Sequence, residues 1–173
     1  MTIRSSARLT DAMRQLISDQ RLGFVATVDP DGGPNLSPKG TFVVLDERRL
    51  AFADIRSPNT RRNLERDPRI DVSFVDPFSR RGVRIKGNAR VVTASDDGYA
   101  GLKSQVAGTW QALADRVAAV VVIDITWVSA LTTPAYDVGA TESELRAHWT
   151  RHFRSLQPNG RFIDETQSEQ SGG

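Results

Sequence analysis

The strongest constraint on this chain is its rhythm: short apolar runs of strand length, each closed by an aspartate-led turn. Asp29-Pro30-Asp31-Gly32-Gly33 separates the run Gly23 to Val28 from a second run extending from Asn35 to Val44. In the first run Phe24, Ala26 and Val28 alternate with Val25 and Thr27, the period-two pattern of a strand. Asp46-Glu47-Arg48-Arg49 turns into Leu50 to Asp54, and Asp67-Pro68 leads into a run where Ile70, Val72 and Phe74 alternate. Asp76-Pro77 closes that run. Val83 to Val92 follows, with Val83 and Ile85 opposed to Arg84, Lys86 and Arg90. Ala118 to Val128 is almost continuously apolar, the pattern of a strand buried on both faces. Six strands joined mostly by hairpins predict a mainly β fold with flanking helices, an antiparallel barrel rather than a doubly wound sheet.

Helix signals flank and interrupt these strands. Thr10 caps a first helix that ends near Gln20. Ser57-Pro58 opens a second, with Pro58 in the tolerated first turn, and Asp67-Pro68 stops it. Ser95-Asp96-Asp97 caps an irregular helical stretch towards Arg116, broken around Gly108. Thr141 and Glu144 form a capping box that starts a last helix, Glu142 to Phe153. A single domain over residues 1–156 is expected. The segment 157–173, rich in Ser, Gln and Gly and lacking an apolar face, is expected to be disordered.

Several function classes fall away on composition. The 173 residues include no cysteine, which removes disulfides, thiolate nucleophiles and cysteine metal sites. A net charge of +2 argues against a dedicated nucleic-acid binder. The most apolar run, Val117 to Trp127, is interrupted by Asp124, so no membrane span is expected. The start of the chain, with Arg4, Ser5, Ser6 and Arg8, lacks the apolar core of a secretory signal, and a cytoplasmic location is expected.

Two segments carry chemistry. In Leu36-Ser37-Pro38-Lys39-Gly40-Thr41 a proline and a glycine interrupt a strand, which marks an edge, a bulge or a close approach to the backbone. Lys39 there is either a solvated side chain or a donor to a ligand's carbonyl or phosphate oxygen. In Asp54-Ile55-Arg56-Ser57-Pro58-Asn59-Thr60-Arg61-Arg62-Asn63-Leu64 a strand end runs into a helix N-terminus. Orphan backbone N–H groups and the helix dipole favour an anion there, and Ser57, Thr60 and Arg61 would complete such a site. The alternative is an ordinary capped helix with exposed arginines. Neither a Walker loop nor a dinucleotide glycine fingerprint occurs.

Taken in order, these motifs resemble the FMN-binding split-barrel superfamily, to which the pyridoxamine 5′-phosphate oxidase-like proteins belong. The resemblance rests on Pro34-x-x-Ser37-Pro38-Lys39-Gly40, a strand ending in Ala53-Asp54, and Asn63-Leu64 followed by Asp67-Pro68-Arg69-Ile70. It extends to Arg81-Gly82-Val83-Arg84-Ile85-Lys86-Gly87-Asn88-Ala89. It implies a six-stranded split β-barrel and a homodimer with two cofactor sites at its interface. It also implies FMN as cofactor and oxidoreductase chemistry on a small-molecule substrate. Ser37, Pro38, Lys39, Gly40 and Thr41 would line the flavin ring, Thr60, Arg61 and Asn63 would hold the ribityl phosphate, and Asp54, Ile55 and Ser57 complete the expected site. Many relatives place a lysine or arginine where Thr60 stands, so here the phosphate charge falls to Arg61 or Arg62. Some relatives take the deazaflavin coenzyme, others haem. A non-catalytic flavin-binding or flavin-sensing module also fits, since no general base stands out.

The remaining motifs are weaker. His148 and His152 lie four apart on the last helix without an evident third ligand. Trp110, Trp127 and Trp149 read as core or interface, with Trp127 the one to place relative to the cofactor. The row Arg84, Lys86, Arg90 reads as a solvated or dimer-facing surface.

Overall fold

The computed structural model describes residues 7–108 and 111–157. They form two compact units, one drawn from the chain up to Asp76 and from Arg80 to Thr132, the other from Pro77 to Ser79 and from Thr133 onward. The expectations for Trp110 and for the segment beyond Gln157 concern residues outside the described ones.

The first unit opens with helix α1 (Asp11–Gln20), capped by Thr10, whose hydroxyl accepts the Met13 N–H. Seven strands follow: β1 (Gly23–Val28), β2 (Pro34–Lys39), β3 (Val43–Val44), β4 (Arg49–Asp54), β5 (Arg69–Val75), β6 (Gly82–Val92) and β7 (Ala119–Leu131). Helix α2 (Pro58–Arg66) sits between β4 and β5, and α3 (Tyr99–Ala107) with a 3₁₀ turn (Gln111–Arg116) between β6 and β7. All strand pairs are antiparallel, in the order β2-β1-β5-β6-β7-β4-β3.

That order forces curvature. β2 and β3 are the two outer strands, yet only Gly40, Thr41 and Phe42 join them. Four residue steps reach at most about 14 Å, whereas the edges of a flat seven-stranded sheet would lie about 29 Å apart. The sheet therefore closes on itself, and the chain is a split barrel. The single strand expected from Asn35 to Val44 is thus two strands on opposite edges, which raises the count from six to seven. Pro38 and Gly40 are the physical reason, since neither sustains a ladder across the corner.

The barrel interior holds Val25, Phe42, Leu50, Phe52, Val72, Phe74, Ile85 and Ile123, with Ile17 of α1 and Leu64 of α2 closing its ends. Phe42 packs edge-on against Phe74 with ring centroids 4.8 Å apart. A second cluster joins Ala51, Ala53, Val120 and Val122 to Val106 of α3. Alternate residues of β7 therefore face the barrel and α3, which explains its unbroken apolar run. Opposite β7, β6 shifts register between Lys86 and Gly87. A Cβ on Gly87 would stand 2.5 Å from the Asp124 carbonyl oxygen, so the bulge requires glycine there.

The third helix starts at Tyr99, later than expected, with Gly98 and no side-chain cap. Asp96 instead accepts the Thr93 N–H at 2.7 Å and closes a turn. In the second unit α4 (Glu142–Leu156) runs three residues past the expected Phe153, and its capping box is present. Phe78 meets Phe153 edge-on at 5.4 Å, and the Tyr136 hydroxyl donates to the Ser79 carbonyl at 2.7 Å.

Candidate functional site

The first unit buries a set of polar side chains where β2, the end of β4 and α2 meet. Antiparallel pairing places Ser37 opposite Val25 and Lys39 opposite Gly23. Alternation along β2 therefore turns Asn35, Ser37 and Lys39 one way and leaves Leu36 and Pro38 exposed. Lys39 is only 8% exposed, and its ammonium donates to the Ser37 hydroxyl. Burial pulls its pKa down, partly countered by the charge of Asp54.

Asp54 ends β4 at 5% exposure, and its Oδ1 has no hydrogen-bond partner. Its field reaches Arg61 as well. The Arg61 pKa is raised chiefly by the bond it donates to Glu65 Oε1 (2.9 Å), with Asp54 adding a smaller push. A buried carboxylate oxygen without a donor is costly to a folded chain and calls for an explanation.

Thr41 closes the barrel seam. The β3–β4 register pairs Val43 with Ala51, and two steps further Ala53 falls opposite position 41. There the Thr41 hydroxyl replaces the backbone ladder, accepting the Ala53 N–H at 3.0 Å and donating to the Ala53 carbonyl at 3.2 Å. Beside it a Cβ on Gly40 would meet nothing within 4 Å, so the backbone there is open to approach.

Helix α2 begins at Pro58, and Ser57 precedes it without a side-chain capping bond. Its first-turn N–H groups are therefore not satisfied by that hydroxyl. Thr60 and Asn63 are buried on the inner side of the helix. Arg61 pairs with Glu65, and Arg62 donates to the Asn59 side chain. Ile55 departs from the expected set: it packs with the cluster beneath α3. Pro38 likewise points outward. The structure thus brings Ser37, Lys39 and Asp54 together, with Arg61 in the field of Asp54 and Thr41 bonded to its neighbour Ala53; Asn63 lies instead by the β1–β2 hairpin, toward the other end of β1 from Lys39.

Asn63 has structural work that its sequence position does not reveal. Its amide donates to the Thr27 hydroxyl at 3.1 Å and to Asp29 Oδ1 at 2.8 Å, and Asn35 donates to the same hydroxyl at 3.0 Å. Arg66 adds a bond to the Val28 carbonyl at 3.0 Å. These contacts fix α2 against the β1–β2 hairpin. Thr27, Asp29 and Asn35 were absent from the expected site; the available signal was a threonine in the inward register of β1, next to Val25.

On the outer face of β1, β5 and β6 lies a groove of about 550 Å³ whose walls include Ala26, Gly33, Asp71, Lys86 and Asn88. Arg84 forks onto Asp71, with Nε at 3.0 Å and 3.1 Å from its two oxygens and Nη2 at 2.6 Å. Lys86 lies 5.6 Å over the Trp127 ring. Trp127 therefore belongs to this outer face rather than to the Lys39–Asp54 cluster. Among the described residues no group of three or more His, Cys, Asp and Glu could hold a metal, and no helix is long and apolar enough to cross a membrane.

Comparison with known proteins follows the same stretch of chain. A family model described as pyridoxamine 5′-phosphate oxidase matches residues 9–132. HupZ of Group A Streptococcus is 29% identical, with a TM-score of 0.61 over 70% of this chain and 98% of its own. A protein of Lactobacillus delbrueckii, described as a putative pyridoxamine 5′-phosphate oxidase, is 27% identical over 74% of this chain and 98% of its own, with a TM-score of 0.61. A structure described as an F420 reductase shares the fold at 20% identity, with a TM-score of 0.56 over 70% of this chain and 98% of its own. No curated protein sequence matches the chain.

Proposed function

The chain belongs to the pyridoxamine 5′-phosphate oxidase family, and on that premise we propose that it binds FMN between β2, β4 and α2 and uses it in oxidoreductase chemistry on a small molecule. One observation carries this reading: the buried, partnerless Asp54 Oδ1 beside a buried Lys39 whose ammonium is held by a serine hydroxyl. A planar heterocycle with both an N–H donor and carbonyl acceptors meets both needs. Asp54 would accept its N–H, and Lys39 would donate to a carbonyl oxygen. The open backbone at Gly40 leaves room for the ring edge. The first turn of α2, with the uncommitted Ser57 hydroxyl, supplies N–H groups and dipole for a phosphate, supported by Arg61 and Arg62.

Bound flavin supplies the two-electron chemistry. The chain's own share is position and charge. Lys39, in a poorly solvated place, would hold a carbonyl oxygen of the ring and offset negative charge there more strongly than it would in water. Thr41 holds the end of β4 and so the position of Asp54. Asn63 acts through Thr27 and Asp29 to set α2 rather than by touching phosphate. We further propose a cytoplasmic homodimer with its two cofactor sites at the interface. Its outer sheet face leaves Phe24 44% and Leu36 66% exposed on neighbouring strands, an apolar surface suited to a second copy.

A second reading, the deazaflavin coenzyme, is favoured by the first turn of α2. Pro58, Asn59 and Thr60 place no cation ahead of Arg61, a weaker cradle for a phosphate monoester dianion than for a diester monoanion. The test is titration of apo-protein with FMN, with deazaflavin coenzyme and with haem. FMN fluorescence should quench to one equivalent per chain, and Asp54→Asn and Lys39→Met should each weaken binding at least about tenfold. Unchanged FMN fluorescence at saturating protein defeats the reading, and tighter binding of the deazaflavin replaces it with the second.

A further inference from the structure

The whole chain contains two histidines and no cysteine. Both histidines, His148 and His152, stand one turn apart on α4. Each is exposed. Each imidazole lies edge-on to the Trp149 ring, with centroids 5.1 Å and 5.3 Å away and interplanar angles of 86° and 89°. The bond at His152 is to its backbone carbonyl, which accepts the Ser155 hydroxyl at 2.7 Å. Among the described residues no hydrogen bond to either ring nitrogen is present.

Positions four apart on a helix bring their Cβ atoms within about 5–6 Å, so two imidazole nitrogens can reach one ion at about 2.0–2.1 Å. We propose that His148 and His152 form a two-imidazole site for a late first-row divalent ion, Cu²⁺ or Zn²⁺. Neutral imidazole suits these borderline ions and not Mg²⁺ or Ca²⁺, which take oxygen ligands. Glu144, one turn before His148, is committed through Oε2 to the Thr141 N–H and hydroxyl, both at 2.8 Å, and is not a third ligand. Water completes the coordination, and the ion keeps open positions. The site lies wholly in the second unit and uses no residue of the flavin reading, so the two stand or fall separately.

The test uses the untagged full chain, titrated with CuCl₂, ZnCl₂ and MgCl₂ at a fixed, near-neutral pH. Calorimetry gives the stoichiometry, and tryptophan emission reports Cu²⁺ through Trp149, which touches both rings. One ion per chain is expected, Cu²⁺ tighter than Zn²⁺, with no Mg²⁺ binding. His148→Ala and His152→Ala should each weaken binding at least about tenfold, and the double variant should abolish it. Both side chains are exposed, so an unchanged thermal melt should show that the variants fold. Absence of binding, binding that survives the double variant, or either single variant binding like the parent overturns the proposal.

Discussion

Replacing Thr41 by valine isolates the seam of the barrel, because valine keeps the shape and removes the hydroxyl. Ala53 is only 4% exposed, and its N–H and carbonyl both bond to Thr41 Oγ1. Neither finds water when that oxygen is gone. A stranded buried donor costs about 1–3 kcal/mol, and the carbonyl loses a weaker bond as well. The expected destabilisation is about 2–3 kcal/mol. For a domain of this size that corresponds to a fall in Tm of roughly 5–10 °C. Thr41→Ser retains the oxygen and drops one methyl, so it should lose about 1 kcal/mol or less. Urea unfolding with matched slopes measures both. The same variants should separate in FMN titration, since a loosened Ala53 shifts Asp54, its neighbour. If valine lies within about 0.5 kcal/mol of the parent, or serine is as damaging as valine, the hydroxyl does not hold the seam and the reasoning fails.

Other substitutions probe the same region. Lys39→Met should stabilise the apo-protein while weakening FMN, read by paired melts and titrations. Its pH profile follows from the lowered Lys39 pKa: between that value and about 10.5 the unfolded chain binds more protons, so the parent gains stability as pH rises and the variant lacks that gain. Asn63→Ala should cost about 2–3 kcal/mol by stripping N–H donors from Thr27 and Asp29, and should weaken FMN with little change in its spectrum when bound. Gly87→Ala puts a methyl 2.5 Å from the Asp124 carbonyl and should cost about 1–3 kcal/mol in the same unfolding assay.

Local chemistry made much of this legible. Thr10, Thr141 and Glu144 cap their helices as written, because a cap depends on a few adjacent residues. The double-sided burial of β7 was readable from its unbroken apolar run. The split between β2 and β3 was not, because Val43 and Val44 look like the continuation of a strand until the sheet's closure makes them its far edge. The resemblance places Ile55 in the site with Asp54, yet consecutive residues at a strand end face opposite ways, and Ile55 packs with the cluster beneath α3. Thr41 was expected to face a ring; its hydroxyl bonds Ala53, a partner twelve residues on that only the register reveals. The resemblance implies a phosphate role for Asn63, whereas its amide bonds Thr27 and Asp29 of the hairpin.

Three features that disfavour the isolated fold lie close together, and that proximity is informative. Over most of the sheet alternating strands bury their apolar face, and surface arginines pair with nearby carboxylates, as Arg69 does with Asp67 at 2.6 Å. At the junction of β2, β4 and α2 the chain buries a lysine, strands a carboxylate oxygen and leaves a helix start without a side-chain cap. Each feature disfavours the isolated fold. A sequence selected for stability alone has a cheap remedy at each: methionine for Lys39, asparagine bonded to a neighbour for Asp54, a capping rotamer for Ser57. On the proposed FMN reading these three departures would share one resolution, a ligand that brings an N–H, carbonyl oxygens and an anion together. On that reading the isolated domain carries strain that binding would release. The expected signature is an FMN-dependent rise in Tm in the parent that shrinks with each corner repaired, while the apo Tm climbs.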